Sequence, residues 1–273
     1  MKKILLGLVI LLFLFFVWFF SQKPSNSRAW TKDQTQLPFA DIDGDLITIH
    51  NIRNNAYRTT DDFDVVTYDK TVDLKHIERV DYIVEPFSNW GGPAHTFLTF
   101  GFAGATNTEY LALSVEIRKE QGESFSPWKG LLRQYEIMYV AGDERDLIGL
   151  RTNYRHDNVY LYPIRTTKER IRALFLSMIE RMNTLYEHPE FYNTLTSTCT
   201  TNIQKHVNEI FPGRVPLSYK ILLPGYSDEL AYTLGLIDAP ENISIEDLRT
   251  RFRINEKAER FADDPLFSQK IRE

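Results

Sequence analysis

The sequence predicts an α+β domain behind one N-terminal membrane segment, and three observations carry that prediction. Residues 4–20 form an unbroken apolar run, ILLGLVILLFLFFVWFF. Residues from about 40 to 164 carry short segments of strand-like alternation. Residues from 166 onward carry apolar positions at helical spacing. Strands first and helices after is the order of an α+β domain. Of 273 residues, 43% are hydrophobic and 25% charged, which excludes a disordered or polytopic chain. Lys+Arg is 32 against 37 Asp+Glu, a net charge of -5, so nothing suggests a nucleic-acid partner. A single cysteine excludes an intrachain disulfide and a multi-cysteine metal site.

The apolar run follows Lys2 and Lys3 and precedes Lys23, a weak charge bias for an N-in orientation. As a helix its 17 residues span about 25 Å, the lower edge for crossing a bilayer. A cleaved signal peptide is the competing reading, but the run is long and Phe-rich and Ser25-Asn26-Ser27 is a poor cleavage site. A lipoprotein signal is excluded, because the only cysteine is Cys199. Residues 1–22 are thus read as anchor or signal, 23–38 as linker, 39–262 as the catalytic domain and 263–273 as a peripheral tail. Either reading of the run places the body outside the cytoplasm.

Strands are expected at 46–49, 80–84, 95–100, 110–118, 135–140 and 158–162. Thr166 and Glu169 form a capping-box pattern. After it, Ile171, Leu174, Phe175, Met178, Ile179, Met182 and Leu185 make one apolar helix face that ends near Pro189. A second helix starts at Cys199 and is stopped by Pro212 and Gly213. Residues 217–235 are mixed, and Ser244 opens a last amphipathic helix.

Cys199 follows Thr196, Ser197 and Thr198, hydroxyl residues suited to an N-cap. A thiol in a first helical turn meets backbone N–H groups and a dipole that favour a thiolate and a developing oxyanion. A buried, inert cysteine is the plain alternative. A nucleophilic thiol needs a base. His206 is seven positions on, about 10 Å along the helix, and reads as a solvated helix residue. His76, His156 and His188 read as surface residues, and His50 closes a strand. His95 opens an apolar strand behind the Gly-rich loop of Trp90-Gly91-Gly92-Pro93, and is the candidate base. A hairpin centred near 105–106 puts it opposite Ser114 and Glu116, which share a strand face. Glu116 is then the candidate orienting carboxylate, with an edge ion pair to Arg118 or Lys119 as its alternative. Ser114, Asn202 and Trp90 are the candidates for contacting substrate. Residues 61–64 and 143–146 are acidic without metal-binding spacing and read as turns or ion pairs, so no metal and no cofactor is expected.

Several segments taken together resemble the Lnb-type periplasmic domain family. They are 84–87 (VEPF), 95–101 (HTFLTFG), 113–118 (LSVEIR), 139–146 (YVAGDERD), 151–155 (RTNYR), 160–163 (YLYP) and 199–202 (CTTN). The resemblance runs over about residues 30–210. It implies a permuted papain-like (NlpC/P60-type) cysteine-enzyme fold with His ahead of Cys, and it carries the nucleophile onto Cys199 and the base onto His95. The family often has Asn before the cysteine, where this chain has Thr198.

The named member of that family is a bacterial lipoprotein N-acyltransferase, so the resemblance implies acyl transfer. The thiolate takes an acyl chain from a membrane phospholipid, and the resulting thioester passes it to the α-amine of a lipoprotein N-terminal cysteine. The implied location is the bacterial inner membrane, single-pass, with the domain in the periplasm. A papain-like cell-wall peptidase or amidase with the same dyad is the competing enzyme. A non-catalytic envelope binding module, with Cys199 buried and His95 distant, is the third reading.

Overall fold

A computed structural model of the chain describes residues 1–87 and 90–273. The apolar run is a helix, α1 (Lys2–Ser21), with no buried residue and about 30 Å long. The body is built on an eight-stranded sheet in the order β1-β2-β9-β8-β7-β6-β10, with β5 also paired to β2. These strands are β1 (Phe39–Asp43), β2 (Leu46–Arg53), β5 (Thr67–Asp73), β6 (Ile77–Pro86), β7 (Ala94–Ala103), β8 (Thr108–Arg118), β9 (Glu136–Gly142) and β10 (Tyr160–Pro163). A small hairpin, β3 (Ala56–Tyr57) with β4 (Phe63–Asp64), stands apart. Pairing is antiparallel except where β2 meets β9, parallel through Arg53 and Gly142. The mixed α+β class holds.

The two-residue period of the strands sorts the core onto two faces. On one face, Val80, Tyr82, Leu98, Phe100, Leu113 and Tyr139 pack under α4 (Lys168–Glu187) and α5 (Cys199–Ile210). The seven α4 residues at helical spacing are all buried there. On the other face, Ile83, Phe97, Ala112, Met138 and Val140 pack under α3 (Glu144–Gly149), the π-helical turn Leu150–Tyr154, α9 (Asn255–Arg260) and α10 (Phe267–Lys270). Residues 217–235 form α6 (Tyr219–Leu222) and α7 (Ser227–Thr233). Ser244 caps α8 (Ile245–Phe252) through the Asp247 N–H, but α9 and α10 follow, so this helix is not the last.

Two segments read as loose in the sequence are fastened. The tail expected to be peripheral buries Phe267 and Ile271. Its Arg272 donates to Asp81 (2.9 Å) and to both oxygens of Glu144 (2.8 and 2.5 Å), two fully buried carboxylates. A polar composition hid this, because charge complementarity with residues more than a hundred positions away leaves no local signal. The linker buries Trp30 and Gln34. Ser25 donates its N–H to Glu136 (3.0 Å), Asn26 donates to the Leu185 and Tyr186 carbonyls, and Arg28 pairs with Glu136 and Glu120.

Removing one partner of a buried ion pair costs about 3–5 kcal/mol. Asp81 keeps Arg79, so Arg272→Ala is expected at the lower end, about 3 kcal/mol. Denaturant unfolding of the full chain in detergent reads this. A change under about 0.5 kcal/mol, the size of an ordinary surface substitution, would show that the tail does not hold the fold.

Candidate active site

Cys199 is the first residue of α5. Thr198 caps the helix, its hydroxyl accepting from the Thr201 N–H (3.2 Å), while the Thr201 hydroxyl accepts from the Thr198 N–H (2.7 Å). Threonine therefore does here what a capping asparagine would do. The N–H groups of Cys199 and Thr200 have no hydrogen-bond partner among the described residues. The Cys199 thiol is mostly buried and lies 3.6 Å from the Thr200 hydroxyl. The Thr200 hydroxyl is 2.9 Å from that of Thr96 on β7, which fixes the start of α5 against the sheet. Asn202 is buried and donates back to the Thr198 carbonyl (2.7 Å) and the Ser197 hydroxyl (3.3 Å), tying the turn that enters α5.

The second residue of β7, His95, sits in a different network. Phe97 pairs with Ser114, and continuing that register places His95 opposite Glu116. The Ser114 hydroxyl donates to Glu116 (3.0 Å) and lies 2.7 Å from His95 Nε2. With the serine proton on Glu116, Nε2 is the donor and Nδ1 keeps its lone pair. The imidazole and Glu116 are 3.8 Å apart, so the contact is relayed through Ser114. Ser114, a candidate for contacting substrate, is fully buried, and its hydroxyl is used between His95 and Glu116. Trp90 is exposed, and its carbonyl accepts from Tyr226.

Arg151, from the π-helical turn, bridges Glu85 (2.5 Å) and Glu116 (3.2 Å). Glu85 is the register partner of His95 on β6, and its other oxygen is buried without a hydrogen bond. Burial pushes the Glu85 carboxyl up to about 7. Burial and then the Arg151 charge lower His95 to about 3, so it is neutral at rest. Burial alone would raise Glu116, but Arg53 and Arg151 outweigh it and hold this carboxylate well below its usual range. Glu85 and Arg151 were not legible as site residues, although the alternation that pairs Ser114 with Glu116 also aims Glu85 at this face.

The structure brings His95, Ser114 and Glu116 together, but it does not join them to Cys199. No hydrogen bond links His95 and the thiol among the described residues. His95 lies on the sheet face of Phe97, stacked at 5.7 Å, whereas Cys199 belongs to the core of the α5 face. The expected thiol–imidazole pair is thus not made in this state. Strand alternation predicts which residues share a face, but not which face a later helix covers.

His206 is also corrected. It is buried, with Nε2 2.6 Å from the Tyr139 hydroxyl and Nδ1 2.6 Å from that of Ser177. Positions 199, 203 and 206 share the α5 face turned to the sheet. Burial lowers His206 to about 4. The acidic residues at 62 and 64 pair with Arg58, and Asp146 pairs with Arg53, as read.

Along the same helix runs an apolar cavity of about 150 Å³. Thr200, Ile203 and Val207 of α5, Leu98 of β7, Leu174 of α4 and Leu230 of α7 are among its walls. It begins one residue from the thiol and follows α5 toward its C-terminus.

His95 and His206 have folded pKa values of about 3 and about 4 against 6.5 in an unfolded chain. Their contribution to stability is full above pH 6.5 and is lost as the pH falls toward those values, because the unfolded chain binds the protons. Glu85 acts in the opposite sense between 4.5 and about 7. Denaturant midpoints at pH 7.5, 5.5 and 4 should therefore fall with acid, most clearly below 4.5. His206→Gln should flatten that fall. An unchanged slope in the variant would mean that His206 is not held neutral by the fold.

No curated protein sequence and no solved structure matches this chain. Residues 64–225 do match one family model, described as the Lnb N-terminal periplasmic domain. That span is more than half of the chain and takes in β5 to β10, the Arg151 network, α4, α5 and Cys199. The geometry above is therefore that of a member, and this chain belongs to the Lnb N-terminal periplasmic domain family.

Proposed function

We propose that the chain is a membrane-anchored cysteine acyltransferase of permuted papain-like type, working on the periplasmic side of a bacterial inner membrane. It moves an acyl chain from phospholipid to the α-amine of a lipoprotein N-terminal cysteine. The observation that carries this is the apolar cavity that starts at Thr200 and runs down α5, in a chain bearing a candidate membrane helix. An acyl chain needs a long apolar cavity of this kind, and its run along α5 favours that ligand over an open polar cleft.

The reaction balances without cofactor. Cys199 Sγ attacks the ester carbonyl, a C–S bond forms, the C–O bond breaks and the lysophospholipid leaves with a proton. The amine then attacks the thioester, a C–N bond forms and the C–S bond breaks. The free N–H groups of Cys199 and Thr200 suit the oxyanion of both steps. His95 is the general base, taking the thiol proton in the first step and the amine proton in the second. In the resting state Glu116 holds it through Ser114. The imidazole and the thiol then lie on opposite faces of the sheet, so this reading requires the start of β7 to rearrange when substrate is bound.

The test is mass spectrometry of a lipoprotein N-terminal peptide from cells depleted of their own N-acyltransferase. A third acyl chain is expected with the wild type and not with Cys199→Ala, and at least about 100-fold less with His95→Ala. Val207→Phe, which fills the cavity midway, should reduce transfer of long chains more than short ones. No added chain with a well-inserted wild type would overturn the acyltransferase and leave the cell-wall hydrolase and the non-catalytic binding module, the second of which a buried Cys199 without His95 beside it also fits. Full transfer by His95→Ala would place the base elsewhere.

A further inference from the structure

The anchor does not hang from the domain by a free tether. Ser25, Asn26 and Arg28 are bonded to the body, and the Trp30 indole donates to the Asn26 carbonyl (3.0 Å). Arg118 donates to Asn26 (3.0 Å) and lies 4.2 Å from the Trp30 ring. Only three residues separate the end of α1 from the first of these bonds, a reach of roughly 14 Å. The part of the surface next to the helix exit is therefore fixed. Arg133 marks it, its guanidinium 4.4 and 5.4 Å from the rings of Phe19 and Phe20 and 5.9 Å from Phe191. It pairs with no carboxylate among the described residues, and its φ of 58° places it in the left-handed region.

Next to Arg133 is α2 (Pro127–Leu131). Trp128 on it is 74% exposed, and Phe125 just before it is 46% exposed. The Tyr135 hydroxyl donates to the Ser124 carbonyl (2.5 Å) and accepts from the Ser126 N–H (3.0 Å), holding the residues on either side of Phe125. Thr194 donates to the Pro127 carbonyl (2.7 Å), which sets Leu195, 54% exposed, beside the same patch. An aromatic-rich apolar patch around an uncompensated arginine, continuous with the exit of a membrane helix, has the chemistry of the lipid headgroup boundary.

We propose that Phe125, Trp128 and Leu195 form a membrane-docking face that rests on the bilayer spanned by α1, with Arg133 at the level of the lipid phosphates. The turn Asn193–Thr198 carries Leu195 and leads directly into Cys199. Docking therefore brings the start of α5 down to the depth at which phospholipid ester groups lie. The proposal stands on the anchor and the patch and does not depend on Cys199 being a nucleophile.

The experiment uses the full chain in phosphatidylcholine–phosphatidylglycerol proteoliposomes. Single cysteines replace Trp128, Leu195 or, as an exposed control, Glu246, each in a Cys199→Ala background and each carrying an environment-sensitive fluorophore. Labels at 128 and 195 should be quenched by brominated lipid and shielded from iodide, and the label at 246 should behave the other way. Arg133→Glu should lower the lipid quenching at 128 several-fold while the 246 label is unchanged. Iodide reaching 128 and 195 as freely as 246 would overturn the proposal. So would shielding that appears only when an acceptor lipoprotein is added, since the patch would then dock protein rather than lipid.

Discussion

Arg151 is the charge on which the arrangement around His95 depends. It is buried, bridges Glu85 and Glu116, and also donates to the Leu147 carbonyl at 2.7 Å. A buried guanidinium is tolerable only if its donors are used and its charge is met. The π-helical turn Leu150–Tyr154 delivers it to the sheet. Once it is there, the states of its neighbours follow. Glu116, which also feels Arg53, stays ionised, and the imidazole between the two carboxylates loses its proton. Glu85, whose second oxygen makes no hydrogen bond and lies 3.6 Å from the Arg155 guanidinium, is pushed up by burial to about 7. Three ionisable groups within one network are thus shifted by burial and by the arginines around them: Arg53 and Arg151 on Glu116, Arg151 on His95, and Arg151 with Arg155 on Glu85.

Strand β7 couples this network to the thiol. Its successive residues His95 and Thr96 point to opposite faces, the first into the charge network and the second onto Thr200 of α5. His95 and Thr96, the residue that touches α5, are therefore adjacent in sequence, while the thickness of the sheet lies between the imidazole and the thiol. On one side lie an apolar cavity and a helix start with free N–H groups. On the other lies a neutral imidazole with its Nδ1 lone pair unused among the described residues.

Much of this was legible from periodicity. The α4 face, the N-cap before Cys199, the β7–β8 hairpin and the grouping of Ser114 with Glu116 all follow from spacings of two, three and four residues, which are local. What was not legible is long-range. Arg272 reaches Asp81 and Glu144, and Asn26 reaches Leu185, through contacts that leave no trace near either partner. His206 was misread because its residue type suggested solvent, although its spacing from Cys199 and Ile203 already put it on the buried face. The separation of His95 from Cys199 was hidden for a related reason. A hairpin register gives same-face neighbours on adjacent strands, whereas the face that α5 covers is decided by the bulk of Leu98, Phe100 and the α4 stripe, far along the chain.

The resting geometry also says which part can move. Arg151 is held by three partners, and Ser114 keeps Glu116 whether or not it keeps His95. The imidazole alone hangs from a single hydrogen bond among the described residues, at the second position of its strand and just after the Gly91-Gly92 pair, where Gly91 sits at φ +75°. Breaking that hydrogen bond alone costs a net of about 1 kcal/mol, but it does not carry the ring to Cys199. His95 is paired with Glu85 in the β6–β7 ladder and points to the sheet face opposite α5, so reaching the thiol also means unpairing the start of β7. No charge in the Arg151 cluster is uncovered, because His95 is neutral and the two carboxylates stay on the arginine. Moving Cys199 instead would strip α5 of its cap and of the Thr96–Thr200 contact together. A state in which base and thiol meet would therefore need the first residues of β7 to leave the sheet and turn over, which also gives up the Ser114 contact through which Glu116 holds the imidazole. The thiol meanwhile stays in its mostly buried place beside the cavity, where a thioester would be shielded from water until an amine arrives.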